Sequence, residues 1–144
     1  MSRYINTSLF ITRNDDTNTS LWRLSSSVTS YIGVCGYVRR LDKYRIFRTL
    51  DDLKYKFHIF RIVYESESLV GKISDKWARD NGILSVSERV RWIKYGPSAK
   101  VIRNEHILNR YSPFLILNFA YQEKYPDLFI RAKRNNINTF EISL

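Results

Sequence analysis

Positively charged and aromatic side chains are interleaved between positions 37 and 58. The stretch contains Tyr37, Arg39, Arg40, Lys43, Tyr44, Arg45, Phe47, Arg48, Lys54, Lys56 and His58. Lysine and arginine neutralise phosphates, and neighbouring aromatic rings stack on unpaired bases with about 1–3 kcal/mol each. The pattern therefore predicts a surface that binds RNA or another single-stranded nucleic acid. The alternative is a solvated basic rim around rings that belong to the core.

Two further basic groups extend this hypothesis towards the C-terminal half of the chain. One contains Arg91 and Lys94, and the other closes the last stretch with helical spacing. Basic residues in a last helical turn also stabilise the helix by themselves, because they complement its dipole. The predicted nucleic-acid-binding residues are Arg39, Arg40, Lys43, Tyr44, Arg45, Arg48, Lys54, Lys56, His58, Arg91, Lys94, Arg131, Lys133 and Arg134.

The segment from Ile73 to Ile93 partly resembles a helix-turn-helix. Ala78, Gly82 and Ile83 match that motif, and the second predicted helix carries a row of basic side chains. Glu88 stands where the motif has an apolar residue, and the turn is longer than usual. An ordinary pair of antiparallel helices explains the same residues without DNA.

Histidine chemistry finds little support in the sequence. His58 and His106 are the only histidines and lie far apart along the chain. A two-histidine phosphoesterase needs a hydroxyl two positions after each histidine to hold the transferred phosphate. Phe60 and Leu108 occupy those positions. We therefore expect both histidines to be surface residues without a catalytic role.

Metal and cofactor sites are equally poorly supported. Glu65 with Glu67, and Asp127 with Glu141, are the carboxylate pairs that a metal-dependent nuclease would require. Such pairs are common by chance, and acidic groups at a helix start stabilise it. The chain has no G-x-x-x-x-G-K-[ST] phosphate loop and no G-x-G-x-x-G fingerprint. We expect no catalytic residue, no bound metal and no cofactor.

The chain carries a large excess of positive charge. Its 144 residues include 24 Lys and Arg against 14 Asp and Glu, a formal net charge of +10. Such a charge repels itself unless a partner neutralises it, and nucleic acid is the commonest such partner. An acidic protein surface and an anionic membrane are the alternatives. The length suits one core, so we predict a single compact basic domain over residues 1–144.

Cysteine usage and the N-terminus bear on the compartment. Cys35 is the only cysteine, so no internal disulfide can form, which favours a reducing environment. The segment Met1 to Asn6 has no charged region followed by a long apolar stretch, and no apolar run is long enough to span a membrane. We expect an intracellular protein, cytoplasmic or nuclear, with no transmembrane segment. Enrichment in Ile, Asn, Lys and Tyr favours a viral or phage genome as its source.

Hydrophobic periodicity predicts strands in the first half and helices in the second. The predicted strands are Tyr4–Thr12, Ser20–Leu24, Tyr31–Arg39 with a continuation over Tyr44–Phe47, Leu53–Tyr64 with a basic exposed face, Pro113–Ala120 and Asn138–Ser143. Helices are predicted from Ser66 or Ser68 to Asn81, over Ser85–Tyr95 behind an S-x-x-E capping box, over Ser98–Arg110 and over Gln122–Lys133, where Tyr125-Pro126 interrupts or restarts the helix. This order predicts an α+β fold with a single antiparallel or mixed sheet and helices packed on one side.

Taken together, charge and pattern predict a basic nucleic-acid-binding accessory protein that contacts phosphates with Lys and Arg and bases with aromatic rings. Two alternatives stay open. The first is a small viral or phage protein that binds and inhibits an acidic surface of a host protein. The second is a matrix or coat protein that uses the same charge on membrane or genome.

Overall fold

A computed structural model describes residues 30–57, 60–121 and 123–144 of the chain. Within them, five strands form one sheet in the order β3-β2-β1-β4-β5, and every neighbouring pair is parallel. The predicted hairpin over Tyr4–Thr12 and Ser20–Leu24, and His58, lie outside the described residues. The strands are β1 Tyr31–Tyr37, β2 Arg61–Glu65, β3 Ser85–Glu88, β4 Leu115–Ala120 and β5 Thr139–Ser143.

Helices alternate with these strands along the chain. A 3₁₀ turn over Arg40–Asp42 leads into the first helix, and another over Gly96–Ser98 separates the third from the fourth. None of the helices in the described ranges is long and apolar enough to cross a membrane. The helices are α1 Lys43–Phe57, α2 Leu69–Asp80, α3 Trp92–Tyr95, α4 Ala99–Tyr111 and α5 Asp127–Arg134.

The helices cover both faces of the sheet. Ile32 and Val34 of β1 belong to one buried cluster, which α1 and α2 complete with residues such as Leu50 and Val70. Cys35, on the opposite face of the same strand, belongs to a second cluster with α4 and α5. The predicted combination of helices with a single sheet is therefore confirmed, whereas the antiparallel or mixed sheet and the one-sided packing are wrong. Parallel strands need crossover connections, and these place helices on both faces.

Helix α1 replaces two predicted strands. Ile46, Leu50, Leu53 and Phe57 recur at helical spacing and are buried on the sheet. The alternation of apolar and basic residues after Leu53 also fits a strand, but it is too short to outweigh a stripe that runs through four turns. Tyr55, predicted to face the core, is largely exposed. The predicted strands over Tyr44–Phe47 and Leu53–Tyr64 are therefore wrong up to Phe57, and of the described residues that follow, Arg61–Glu65 forms a strand.

Strand β3 replaces the predicted second helix of the helix-turn-helix. Ser85–Glu88 pairs in parallel with β2, with Ser85 opposite Ile62. The S-x-x-E pattern does not act as a capping box, because Glu88 instead accepts a hydrogen bond from the hydroxyl of Tyr111 at 2.5 Å. The helix that follows is the single turn Trp92–Tyr95. The helix-turn-helix interpretation is thus wrong.

Several local predictions are confirmed. Helix α2 begins after Ser68, whose hydroxyl accepts from the backbone N–H of Gly71 at 3.0 Å, and Gly82 follows its end with φ +66°. Helix α4 matches the predicted Ser98–Arg110, and every residue of β4 is buried as its unbroken apolar run indicated. Helix α5 begins only after Pro126, five residues later than the predicted start.

Candidate ligand-binding site

A cleft opens where the chain leaves β1 and β4 in opposite directions. After β1 the chain passes through α1 to β2, which lies towards one edge of the sheet. After β4 it passes through α5 to β5, which lies towards the other edge. The connections therefore diverge at the carboxyl ends of β1 and β4 and leave a cleft of about 640 Å³. We call it the switch-point cleft. It is lined by Gly36, Tyr37, Val38, Glu65, Glu67, Ser68, Leu69, Lys100, Val101, Asn104, Tyr121, Lys124, Pro126 and Asp127.

Gly36 shapes the floor of the cleft. It pairs with Phe119 of β4 and has φ +141°, a conformation that side chains disfavour. A Cβ atom at this position would also collide with the carbonyl oxygen of Phe119. Gly36 therefore allows the two strands to stay close together at the point where the chain turns into the cleft.

Arg103 lies under one wall of the cleft, almost fully buried. Its two terminal nitrogens donate to Glu67 at 2.8 and 2.7 Å, and one of them also donates to Glu65 at 3.0 Å. Its Nε donates to Oδ1 of Asn104 at 2.7 Å. The guanidinium thus joins α4 to the end of β2 and to the turn before α2. Glu65 and Glu67, named above as a pair that a metal-dependent nuclease would require, both pair with this guanidinium.

The ionisation of Glu65 and Glu67 follows from their burial and from their pairing with Arg103. Burial raises the pKa of Glu65, and the charge of Arg103 offsets this only in part. Burial also raises the pKa of Glu67, but hydrogen bonds from Arg103 outweigh it and leave that pKa below its ordinary value. Glu67 therefore stays ionised and holds Arg103 in place. Among the described residues, no group of three or more His, Cys, Asp or Glu side chains could hold a metal ion.

Asn104 extends the network to the other wall. Its Nδ2 donates to Oδ2 of Asp127 at 3.0 Å, and Nε of Arg131 donates to the same oxygen at 2.6 Å. Arg131 also binds Glu105 at 3.0 Å. These contacts connect α4 with the first turn of α5, so the walls of the cleft are held by defined polar pairs.

The rim of the cleft combines cations with accessible rings. The ring of Tyr37 is about half exposed (49%), and Nζ of Lys124 lies 5.6 Å from its centroid. The ring of Tyr121 is 42% exposed and is covered by the guanidinium of Arg39 at 4.3 Å. Lys100 is exposed on α4. The arrangement places positive charge and flat apolar surface beside one another around a concave site.

Asp42 fixes the cation at this rim. Although it is almost fully buried, its Oδ2 accepts from the backbone N–H of Arg39 at 2.8 Å, and its Oδ1 pairs with the guanidinium at 3.2 Å. Arg39 is therefore positioned by the start of α1 instead of moving freely in solvent.

Comparison with protein-family models, with curated proteins and with solved structures returned no match. The geometry of the cleft is therefore the basis on which its function is inferred.

The predicted nucleic-acid-binding residues of the first basic stretch do not share one surface. Arg39 and Arg40 lie at the carboxyl edge of the sheet, next to the start of α1 at Lys43. Lys54 and Lys56 lie near the other end of the helix, which at 1.5 Å per residue is about 20 Å away. No strand presents them together, so the predicted basic strand face is wrong. Tyr44, Arg45 and Arg48 lie between these ends on α1.

The remaining predicted residues fall into two other places. Arg131 is held in the ion pairs with Asp127 and Glu105, while Lys133 and Arg134 are exposed in the last turn of α5. Arg91 and Lys94 line a separate pocket beside α4. That these residues bind nucleic acid stays a prediction.

Sequence reasoning missed most of the cleft. Lys100, Asn104 and Lys124 were not among the predicted site residues, because isolated polar residues in helices and loops carry no pattern of their own. A signal was present in the positions that follow the buried strands, since ligands bind at the carboxyl ends of parallel strands. That signal is readable only once the sheet is known to be parallel.

Proposed function

We propose that this protein binds a small phosphorylated ligand with a planar ring, of the nucleotide class, in the switch-point cleft. The observation that carries the proposal is the position of the cleft, between β1 and β4 of a parallel sheet with the order 3-2-1-4-5. In open sheets of this kind, ligands bind outside the carboxyl ends of the strands, at the point where the strand order reverses.

The charges around the cleft support a ligand that carries phosphate. Lys100 and Lys124 line it, and the acidic residues beside them are already paired, Glu65 and Glu67 with Arg103 and Asp127 with Arg131. Ser68, the N-cap of the 12-residue helix α2, also lines the cleft. The first turn of a helix carries unpaired N–H groups and a positive dipole end, which favour an anion. A phosphate would thus meet cations without facing a free carboxylate from the lining residues.

The rings and the size of the cleft support a planar group on the same ligand. Tyr37 and Tyr121 present accessible rings beside Lys124 and Arg39. Aromatic rings bind planar heterocycles by stacking. A volume of about 640 Å³ lies inside the range of small-molecule sites, about 300–1,000 Å³.

Isothermal titration calorimetry with AMP, ADP, ATP, adenosine and inorganic phosphate tests the proposal. We expect at least one nucleotide to bind more tightly than adenosine or phosphate alone. The variant K100A/K124A should lose about 10- to 100-fold in affinity, because a hydrogen bond to a charged group contributes about 1.5–3 kcal/mol. K56A/K133A is the matched control, since it removes two exposed lysines that do not line the cleft. Absence of nucleotide binding, or equal losses in both variants, would refute the proposal.

A further inference from the structure

A second concave site lies on the other side of α4, beyond the end of β3. It has a volume of about 310 Å³ and is formed by the β3–α3 loop, α3 and α4. Lys100 and Asn104 face the switch-point cleft, whereas Ile102 and His106 of the same helix face this pocket. We call it the α3–α4 pocket. Its charged and titratable lining residues besides the buried Arg103 are Glu88, Arg89, Arg91, Lys94, Tyr95, His106 and Arg110.

The charge of the α3–α4 pocket is largely unbalanced. Among the described residues, Glu88 is the one acidic side chain that lines it, and Glu88 accepts from the hydroxyl of Tyr111 at 2.5 Å and lies 4.0 Å from the guanidinium of Arg110. Arg89 and Arg91 are exposed, and their guanidinium groups form no hydrogen bond or ion pair with the described residues. Several cations therefore converge on a concave surface that offers them too few anions.

Accessible rings accompany these cations. Tyr95 lines the pocket and is 37% exposed, with Nζ of Lys94 at 5.2 Å from its ring centroid. Trp92, one turn earlier in the same helix, is 53% exposed. Rings of this kind are sites on which an unpaired base can stack.

We propose that the α3–α4 pocket binds the backbone and bases of a single-stranded nucleic acid. Arginines form paired hydrogen bonds with phosphate oxygens, and a neighbouring ring accepts a base. A duplex fits less well, because its bases are stacked inside and cannot reach Tyr95. An anionic membrane also fits less well, because the lining of the concave site itself is mostly charged, although Trp92 and Ile93 of α3 are exposed beside it. The inference is independent of the nucleotide site, since the two use different faces of α4.

Fluorescence anisotropy with labelled oligo(dT) of about 20 nucleotides, long enough to cover one binding domain, tests this inference. Nuclease-treated protein is titrated at several KCl concentrations. Each phosphate contact on a single strand contributes about 0.7 to the slope of log affinity against log salt, so R89A/R91A/K94A should lower the slope by about 2 and the affinity at 0.1 M salt by about 100-fold. The triple variant should leave nucleotide affinity in the switch-point cleft unchanged.

The matched control is K72A/K76A/R79A, which removes the same charge from exposed positions on α2, outside the predicted nucleic-acid-binding residues. It should keep nearly the affinity of the unchanged protein. In addition, Y95A should weaken binding by about 10-fold through lost stacking, while Y95F, which keeps the ring, should not. Circular dichroism confirms that each variant is folded.

Three outcomes would overturn the inference. One is an equal loss of affinity in both triple variants, which would mean that the net charge of the protein, and not the α3–α4 pocket, determines the affinity. Another is equal or tighter binding of the corresponding duplex. The third is binding to vesicles of phosphatidylserine and phosphatidylcholine, abolished in R89A/R91A/K94A, without binding to oligo(dT).

Discussion

Arg103 and Glu67 form a bidentate ion pair, with its two hydrogen bonds at 2.8 and 2.7 Å, between α4 and the turn that precedes α2. The arginine side chain is almost completely buried, whereas the glutamate reaches the cleft. The pair thus links α4 to the segment between β2 and α2. The wall of the switch-point cleft depends on this pair.

Loss of Arg103 should destabilise the protein strongly. R103A leaves the carboxylate of Glu65 buried without its partner, and breaking a buried pair in this way costs about 3–5 kcal/mol. R79A, which removes an exposed pair with Asp75, should cost less than about 1 kcal/mol. Urea unfolding gives the free energy of unfolding of both variants. A loss in R103A no larger than that in R79A would show that the cluster does not support the fold.

Gly36 should tolerate no side chain. Its positive φ alone costs another residue about 1–3 kcal/mol, and the collision with Phe119 adds to that cost, so we expect G36A to lose about 3 kcal/mol or more. G82A separates the two effects, because Gly82 also has a positive φ but has open space around it. It should lose only about 1 kcal/mol. Thermal unfolding followed by circular dichroism measures both, and equal losses would mean that β1 and β4 separate without cost.

Low pH should lower the free energy of unfolding through protonation of Glu67. Its pKa is lowered in the folded state, so below its ordinary value of about 4.3 the unfolded chain binds a proton more readily than the folded chain. The stabilisation by Glu67 is therefore complete above that pH and is lost as the pH falls through the lower folded value. E67Q should be less stable than the unchanged protein at pH 7, and the difference should shrink towards pH 3. Urea unfolding across this range tests it, and a constant difference would mean that Glu67 titrates alike in both states.

Much of the local structure could be predicted from the sequence, because it depends on neighbouring residues. Ser68 and Gly82 mark the ends of α2 by local hydrogen bonding and backbone conformation. The unbroken apolar run of β4 showed that it is buried on both faces. That run was also a sign of a parallel sheet, although the prediction did not use it in this way.

The predictions of secondary structure failed where contacts between distant parts of the chain decide between two local patterns. Ser85 and Glu88 fit a capping box, but hydrogen bonds with β2 and the contact with Tyr111 stabilise an edge strand there. Residues after Leu53 fit a strand, but the longer apolar stripe beginning at Ile46 made a helix. The site could not be predicted without the strand order, because its residues meet only when strands distant in sequence lie parallel.

Nuclear magnetic resonance of the ¹⁵N-labelled protein titrated with AMP locates the nucleotide on the structure. Saturable shifts of the backbone signals of Gly36, Ser68, Lys100 and Tyr121, absent when K100A/K124A is titrated, would place AMP in the switch-point cleft as proposed. No saturable shift with AMP, ADP or ATP, or shifts limited to the residues of the α3–α4 pocket, would show that the cleft at the carboxyl edge of the sheet is not a nucleotide site.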